Sequence, residues 1–143
     1  MREAASLAAL ILAALVATPA LAVEACVIGE AAIDKAGSYG GAVEEAVRAA
    51  PTCERAYETL AACQLNSSGD NALADIVDAK CEPLFMGKAS AATKKAYRQA
   101  RDRCDRIAKA NEGTMYQGLA AVCRARAARD FARKASGKRA PSP

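Results

Sequence analysis

Six cysteines and no histidine set the chemistry that is open to this chain of 143 residues. The absence of histidine excludes Ser-His-Asp and Cys-His catalysis and the mixed Cys/His zinc sites. No two cysteines form Cys-x-x-Cys, so the sequence predicts neither a thioredoxin-type redox motif nor a metal centre. An even number of cysteines instead predicts structural disulfides. The six are Cys26, Cys53, Cys63, Cys81, Cys104 and Cys123.

Paired carboxylates are the other groups that could do chemistry, because two acids can act as general acid and base. The pairs are Glu44 with Glu45, Asp75 with Asp78, and Asp102 with Asp105. Their adjacent or i,i+3 spacing among alanine and arginine is typical of solvated helix faces. The sequence contains no phosphate-binding loop, dinucleotide fingerprint or nucleophile elbow. We therefore predict a protein that is not an enzyme, with no catalytic residue, cofactor or metal site.

The elements that position these residues are predicted to be helices. Apolar residues make up 52% of the chain but aromatic residues only 4%, and alanine accounts for the difference. This composition favours helix. Helical spacing of apolar residues and the caps Thr52, Asp70, Ser90 and Thr114 predict an all-α fold, a small bundle of four to five helices stapled by disulfides.

The N-terminus predicts export. Residues 1–22 have a basic start, a short apolar run and Ala20-Leu21-Ala22, which fits signal-peptide cleavage after Ala22. An uncleaved membrane anchor is the alternative, although Pro19 interrupts the apolar run. We predict a periplasmic or secreted helical domain over residues 23–136, with no transmembrane span in the mature chain, followed by a disordered basic tail over residues 137–143.

Helical hairpins suggest how the cysteines pair, since paired residues lie at similar distances from the turn. Cys104 lies 8 residues before Glu112 and Cys123 lies 11 after it. Cys53 and Cys81 each lie 14 residues from Ser67. These distances favour Cys104–Cys123 most, then Cys53–Cys81, which leaves Cys26–Cys63. Other connectivities stay open, because six cysteines can pair in many ways.

Charge is distributed unevenly along the chain. Residues 23–82 contain 4 basic and 11 acidic side chains, whereas residues 83–143 contain 15 basic and 4 acidic ones. One interpretation is that the two halves pack together and neutralise each other. The other is a basic face for an anionic partner, such as an envelope polymer or lipid. Nucleic acid is not an expected partner outside the cytoplasm.

The last helix offers the candidate contacts for such a partner. Met115, Leu119, Cys123, Ala127 and Phe131 recur every four residues and predict its buried stripe. Its other faces hold Arg124, Arg126, Arg129 and Arg133, which we expect to be exposed. The same residues could simply stabilise the C-terminal end of the helix. Tyr39, in a predicted glycine-flanked loop over residues 37–41, is a further candidate contact.

The C-terminal half resembles a known family. The stretch from Tyr97 to Cys104 (Tyr-Arg-Gln-Ala-Arg-Asp-Arg-Cys), a turn at Glu112-Gly113-Thr114, then Cys123 and Arg129, is similar to the LprI-like lysozyme-inhibitor family of secreted bacterial proteins. Upstream, Cys53 and Cys63 around Glu58, and Asp70 with Leu73, extend the resemblance over residues 53–131. It implies a helical, disulfide-containing fold and, as a partner, a lysozyme-like protein.

Two functions follow as expectations. The first is a periplasmic or secreted, non-enzymatic binding protein that inhibits a lysozyme-type hydrolase. Its acidic first half would attract a cationic lysozyme, and the Tyr39 loop would enter the cleft of the hydrolase. The alternative is a structural envelope-associated protein whose basic C-terminal helix contacts anionic cell-wall polymer or lipid.

Overall fold

The computed structural model describes residues 25–137, which form six α-helices and one short 3-10 helix without any strand. The all-α fold is confirmed, with one helix more than the four to five expected. The predicted signal peptide and residues 138–143 of the predicted tail lie outside the described residues. The α-helices are α1 (Glu30–Ala36), α2 (Tyr39–Ala49), α3 (Cys53–Cys63), α4 (Asp70–Cys81), α5 (Ala91–Ala110) and α6 (Thr114–Ala135), and the 3-10 helix Glu82–Leu84 follows α4.

The junction between α1 and α2 differs from the predicted loop over residues 37–41. Gly37 ends α1 with φ of 76°, a left-handed conformation that favours glycine. Ser38 then caps α2, because its hydroxyl accepts a hydrogen bond from the backbone N–H of Gly41 at 3.0 Å. Tyr39 is therefore the first residue of a helix and does not lie in a loop.

Side-chain caps begin α3 and α5 as predicted. The hydroxyl of Thr52 accepts from the N–H of Arg55, and that of Ser90 accepts from the N–H of Thr93, each at 3.1 Å. Asp70 does not cap α4 in this way. Its buried carboxylate accepts from the backbone N–H groups of Leu65 at 2.7 Å and Ser67 at 3.2 Å, so it orders the loop before the helix. Thr114 is likewise the first residue of α6, with no side-chain cap before it.

Helix α6 lies at the centre of the bundle and packs against α3, α4 and α5. The face that it buries is mainly alanine, at positions 121, 125, 128 and 132, with Gly118 and Val122 beside them. Opposite them lie the larger side chains of the core, including Leu60 and Leu73. Small side chains let the helices approach closely, but each buries little apolar surface.

The predicted stripe of α6 is therefore wrong in part. Met115 and Leu119 are 48% and 41% exposed, whereas Phe131 packs against the core. Residues four apart advance by about 40° around a helix, so five of them spread over about 160°. The alternating 4-3-4 spacing of the buried alanines stays on one face.

All three disulfides join the cysteines as favoured by the sequence. Cys26 pairs with Cys63, Cys53 with Cys81, and Cys104 with Cys123. The second bridge lies in the core, since Cys53 and Cys81 are 7% and 0% exposed. Three disulfides are typical of a protein that folds in an oxidising compartment.

Gly118 lets the loop before α4 approach α6, and we expect Gly118→Ala to destabilise the protein. A Cβ atom at this position would lie 2.6 Å from the carbonyl oxygen of Ser67 and 2.7 Å from a carboxylate oxygen of Asp70. We expect a loss of about 1–3 kcal/mol from overpacking, measured by chemical denaturation. Gly40→Ala is the matched control, because its Cβ would meet only Leu65 at 3.7 Å. Equal stability of Gly118→Ala and the wild type would contradict this account.

Candidate functional site

The four arginines predicted as an exposed partner surface mostly bind other parts of the same chain. Arg124 donates to Asp105 on α5 at 2.8 Å and to Asn71 on α4 at 2.7 Å. Its side chain is only 18% exposed. Arg133 lies 3.6 Å from Glu54 on α3. We expected these arginines to form a free face on α6, and this expectation is wrong for them. They lie next to the core face of α6, so their side chains reach the neighbouring helices.

Arg129 and Arg126 surround Tyr57 of α3. Arg129 donates to Glu54 at 2.8 Å, and its guanidinium lies 4.2 Å from the centre of the Tyr57 ring, within the range of a cation–π contact. Arg126 donates through Nε to the Tyr57 hydroxyl at 2.8 Å, and this hydrogen bond raises the pKa of Arg126. Arg126 keeps much of its surface exposed, so it alone of the four is available to a partner.

The acidic and basic halves of the chain therefore neutralise each other in part, as the first interpretation of the charge distribution holds. Two of the predicted contact arginines, Arg129 and Arg133, reach Glu54 in the acidic half. Arg124 instead pairs with Asp105 inside the basic half. Helix α4 also takes part in this neutralisation, through a separate cluster of polar side chains.

A polar cluster joins α4 and the 3-10 helix to α5. Arg101 donates to Asp78 at 2.5 Å and to the Tyr97 hydroxyl at 2.9 Å, and that hydroxyl donates to Glu82 at 2.7 Å. Asp78 is buried, and its Oδ1 has no hydrogen-bond partner among the described residues.

Burial and hydrogen bonds together set the ionisation behaviour of this cluster. It raises the pKa of Asp78 above the usual value for aspartate, although Arg101 acts in the opposite direction. Burial also raises the pKa of Tyr97, and the hydrogen bond to Glu82 adds to the effect. For Arg101, burial lowers the pKa, but the hydrogen bonds to Asp78 and Tyr97 outweigh it and keep the guanidinium charged. The cluster links helices through ion pairs. It does not have the form of two acids of which one is free to act as a base.

Tyr39 is 41% exposed, and its hydroxyl lies 3.3 Å from the sulfur of Cys26. Its ring therefore stands at the first turn of α2 beside the Cys26–Cys63 disulfide. The structure does not bring Tyr39 together with the arginines of α6 into one site.

Free positive charge is concentrated on α5, which the sequence analysis did not single out. We call its solvent side the basic face: Lys95, Arg98, Arg103, Arg106 and Lys109. All five are exposed, and none has an ion-pair partner between residues 25 and 137. Asp102 is the only acidic residue exposed on α5. The sequence could have predicted this face, since α5 has seven basic and two acidic residues.

The part of the chain between residues 25 and 137 lacks the features of two other kinds of site. No group of three or more Cys, Asp or Glu residues within it could hold a metal ion. None of its helices is both long and apolar enough to cross a membrane. Comparisons with protein-family models, with curated proteins and with solved structures find no match to the chain.

Proposed function

We propose that this chain is an exported, non-enzymatic protein that binds anionic surfaces of the cell envelope through the basic face of α5. The observation that carries the proposal is the contrast between two helices. The arginines of α6 are largely engaged with acidic side chains, whereas the five basic residues of α5 face solvent without carboxylate partners. The three disulfides and the signal-like residues 1–22 support export to the periplasm or beyond.

The expected binding is electrostatic. A lysine or arginine near an anionic lipid surface contributes about 1 kcal/mol, and the attraction falls off within a Debye length. The five residues lie on one side of a helix of 20 residues, and Asp102 is the one exposed acidic residue among them, so the surface as a whole is strongly cationic. Binding should therefore be strong at low salt and weak at high salt.

Neutralising two residues of the basic face should weaken this binding. We expect Arg103→Gln with Arg106→Gln to reduce affinity for vesicles containing phosphatidylglycerol by about thirtyfold at low salt, since two residues together contribute about 2 kcal/mol. The salt dependence of the remaining binding should be flatter, because fewer charges take part. Sedimentation of the purified protein with these vesicles, at several salt concentrations, gives both quantities.

The matched control removes the same charge elsewhere. Lys35→Gln with Arg48→Gln affects exposed residues of α1 and α2 that pair with Glu45 and Glu44. Such surface pairs contribute little to stability, so the fold should be kept. Equal loss of vesicle binding in both double variants would leave only a dependence on net charge and would contradict a specific role for α5.

Inhibition of a lysozyme-type hydrolase, which the family resemblance implies, stays a prediction. The loop that was expected to enter the cleft of the hydrolase is the start of α2. A lysozyme activity assay with the oxidised protein tests it directly.

A further inference from the structure

A groove lies where the start of α5 meets the end of α6. Its volume is about 830 Å³, within the range of sites for small organic ligands. Apolar side chains make up most of its lining, notably Phe85, Phe131, Ala92 and Ala96. The basic face of α5 does not contribute to it, so the groove is a separate feature of the same helix.

The floor of the groove is made of closely packed aromatic rings. Phe85 is 3% exposed, and its ring centre lies 5.7 Å from that of Phe131. Tyr97 packs against both rings, at 5.0 and 5.2 Å. Such packing fixes the shape of the floor before any ligand binds.

An unburied leucine stands at the edge of the groove. Leu84 is 59% exposed, the second-largest exposure among the exposed large apolar residues of the described chain. Leu84 also lines a smaller groove, of about 600 Å³, at the end of α6. The fold itself does not bury this apolar surface of Leu84, so the surface is open to a ligand.

Positive charge lines the mouth of the groove. Lys88 and Lys134 are both exposed, and neither forms an ion pair within the described residues. Lys134 lies with its Nζ 5.2 Å from the centre of the Phe131 ring, above the apolar floor. The first turn of α5, which adds the positive end of a helix dipole, lines the same groove.

We propose that this groove binds the acyl chain of a single anionic amphiphile, with its carboxylate between Lys88 and Lys134. The apolar floor and Leu84 cover the chain, and the two ammonium groups neutralise the head. A neutral apolar ligand would leave the lysines unused, and a short anion would leave the floor uncovered. This inference goes beyond surface binding by α5 and rests on different residues.

Titration with dodecanoate tests the proposal on the full chain. We expect binding of one equivalent, with backbone NMR shifts confined to Phe85, Ala96, Phe131 and their neighbours. Acetate should not bind, and dodecyltrimethylammonium should bind about tenfold more weakly, since two charge attractions become repulsions. Equal binding of the cationic and anionic amphiphiles would overturn the assignment of the lysines.

Two pairs of variants make the test specific. Ala96→Trp should fill the groove and abolish dodecanoate binding, whereas Ala110→Trp, at the far end of α5, should leave it unchanged. Lys88→Glu with Lys134→Glu should weaken binding about tenfold. Lys95→Glu with Lys109→Glu makes the same charge change on the basic face and should reduce vesicle binding alone.

These outcomes separate the two proposals. If dodecanoate binding survives Ala96→Trp, the groove is not its site and the inference fails, whatever the vesicle result. The same holds if deletion of residues 138–143 shifts the groove signals without ligand, because the end of the chain would then be the occupant. Concentration-dependent shifts of those signals without ligand would assign the groove to a second copy and overturn the inference as well.

Discussion

The double substitution Cys53→Ala with Cys81→Ala should lower the free energy of unfolding by about 2–5 kcal/mol. The bridge closes a loop with a sequence separation of 28 residues, and its loss gives the unfolded chain more freedom. Both sulfurs also lie in the core, so their removal leaves a cavity among small side chains that cannot fill it. Much of the population should be unfolded at about 37 °C, as circular dichroism would record.

The Cys26–Cys63 disulfide is the comparison for this result. It has a longer separation of 37 residues, but Cys26 lies at the edge of the fold, before a helix with no buried residue. Replacing that pair by alanine should cost less than replacing Cys53 and Cys81, because less core volume is lost. A larger loss from the Cys26–Cys63 pair would show that loop closure, rather than core packing, dominates the stability of this protein.

Replacing Arg101 by methionine should cost about 2–3 kcal/mol near neutral pH, because it leaves the buried carboxylate of Asp78 without its cation. The aliphatic part of methionine keeps most of the packing, so the loss reports on charge. Chemical denaturation at about pH 7 measures it. Arg98→Met, on the exposed side of the same helix, should have little effect.

The cost of Arg101→Met should also depend on pH. The pKa of Asp78 in the folded protein is raised above its ordinary value of 3.8, so the protonated form is favoured on folding. The stability that protonation of Asp78 contributes is therefore fully present below pH 3.8 and is lost as the pH rises through the pKa of Asp78 in the folded protein. Without Arg101, which acts to lower the pKa of Asp78, the folded pKa rises further and the loss grows. The difference between variant and wild type should be small near pH 3 and largest near neutrality.

A second substitution separates charge from packing. Asp78→Asn in the Arg101→Met background removes the buried negative charge and should restore part of the stability at about pH 7. A difference that stays constant from acid to neutral pH, with no rescue by Asp78→Asn, would show that Arg101 acts through packing alone.

Local sequence signals predicted much of the fold. Thr52 and Ser90 act as caps because capping depends on hydrogen bonds within a few residues. The disulfide pairing followed from the symmetry of helical hairpins, which depends only on distance from a turn. Tyr39 was misplaced because glycines at positions 40 and 41 suggested a loop. The cap from Ser38 was enough to start a helix through them.

The surface chemistry was harder to predict, because it depends on which side of α6 faces the core. The apolar residues spaced by four suggested one side, and the arginines were then placed on the other. The buried alanines define a different side, which brings Arg124 and Arg129 against α3, α4 and α5. Alanine gives little hydropathy contrast between faces, so an alanine core hides its orientation from sequence patterns. The groove beside Leu84 depends on three separate segments and has no signal in any one of them.

The order of the cysteines along the chain has a consequence for biogenesis. Cys53 lies within the loop that Cys26–Cys63 closes, and Cys63 lies within the loop that Cys53–Cys81 closes. A chain oxidised from its N-terminal end exposes Cys26 and Cys53 first, and joining these two gives a non-native bridge. The native pairs then require either helix formation ahead of oxidation or later thiol–disulfide exchange, which takes seconds to hours. Cys104 and Cys123 are consecutive cysteines, so oxidation in chain order would join this native pair directly, and only the N-terminal half would need an isomerase when oxidation precedes folding.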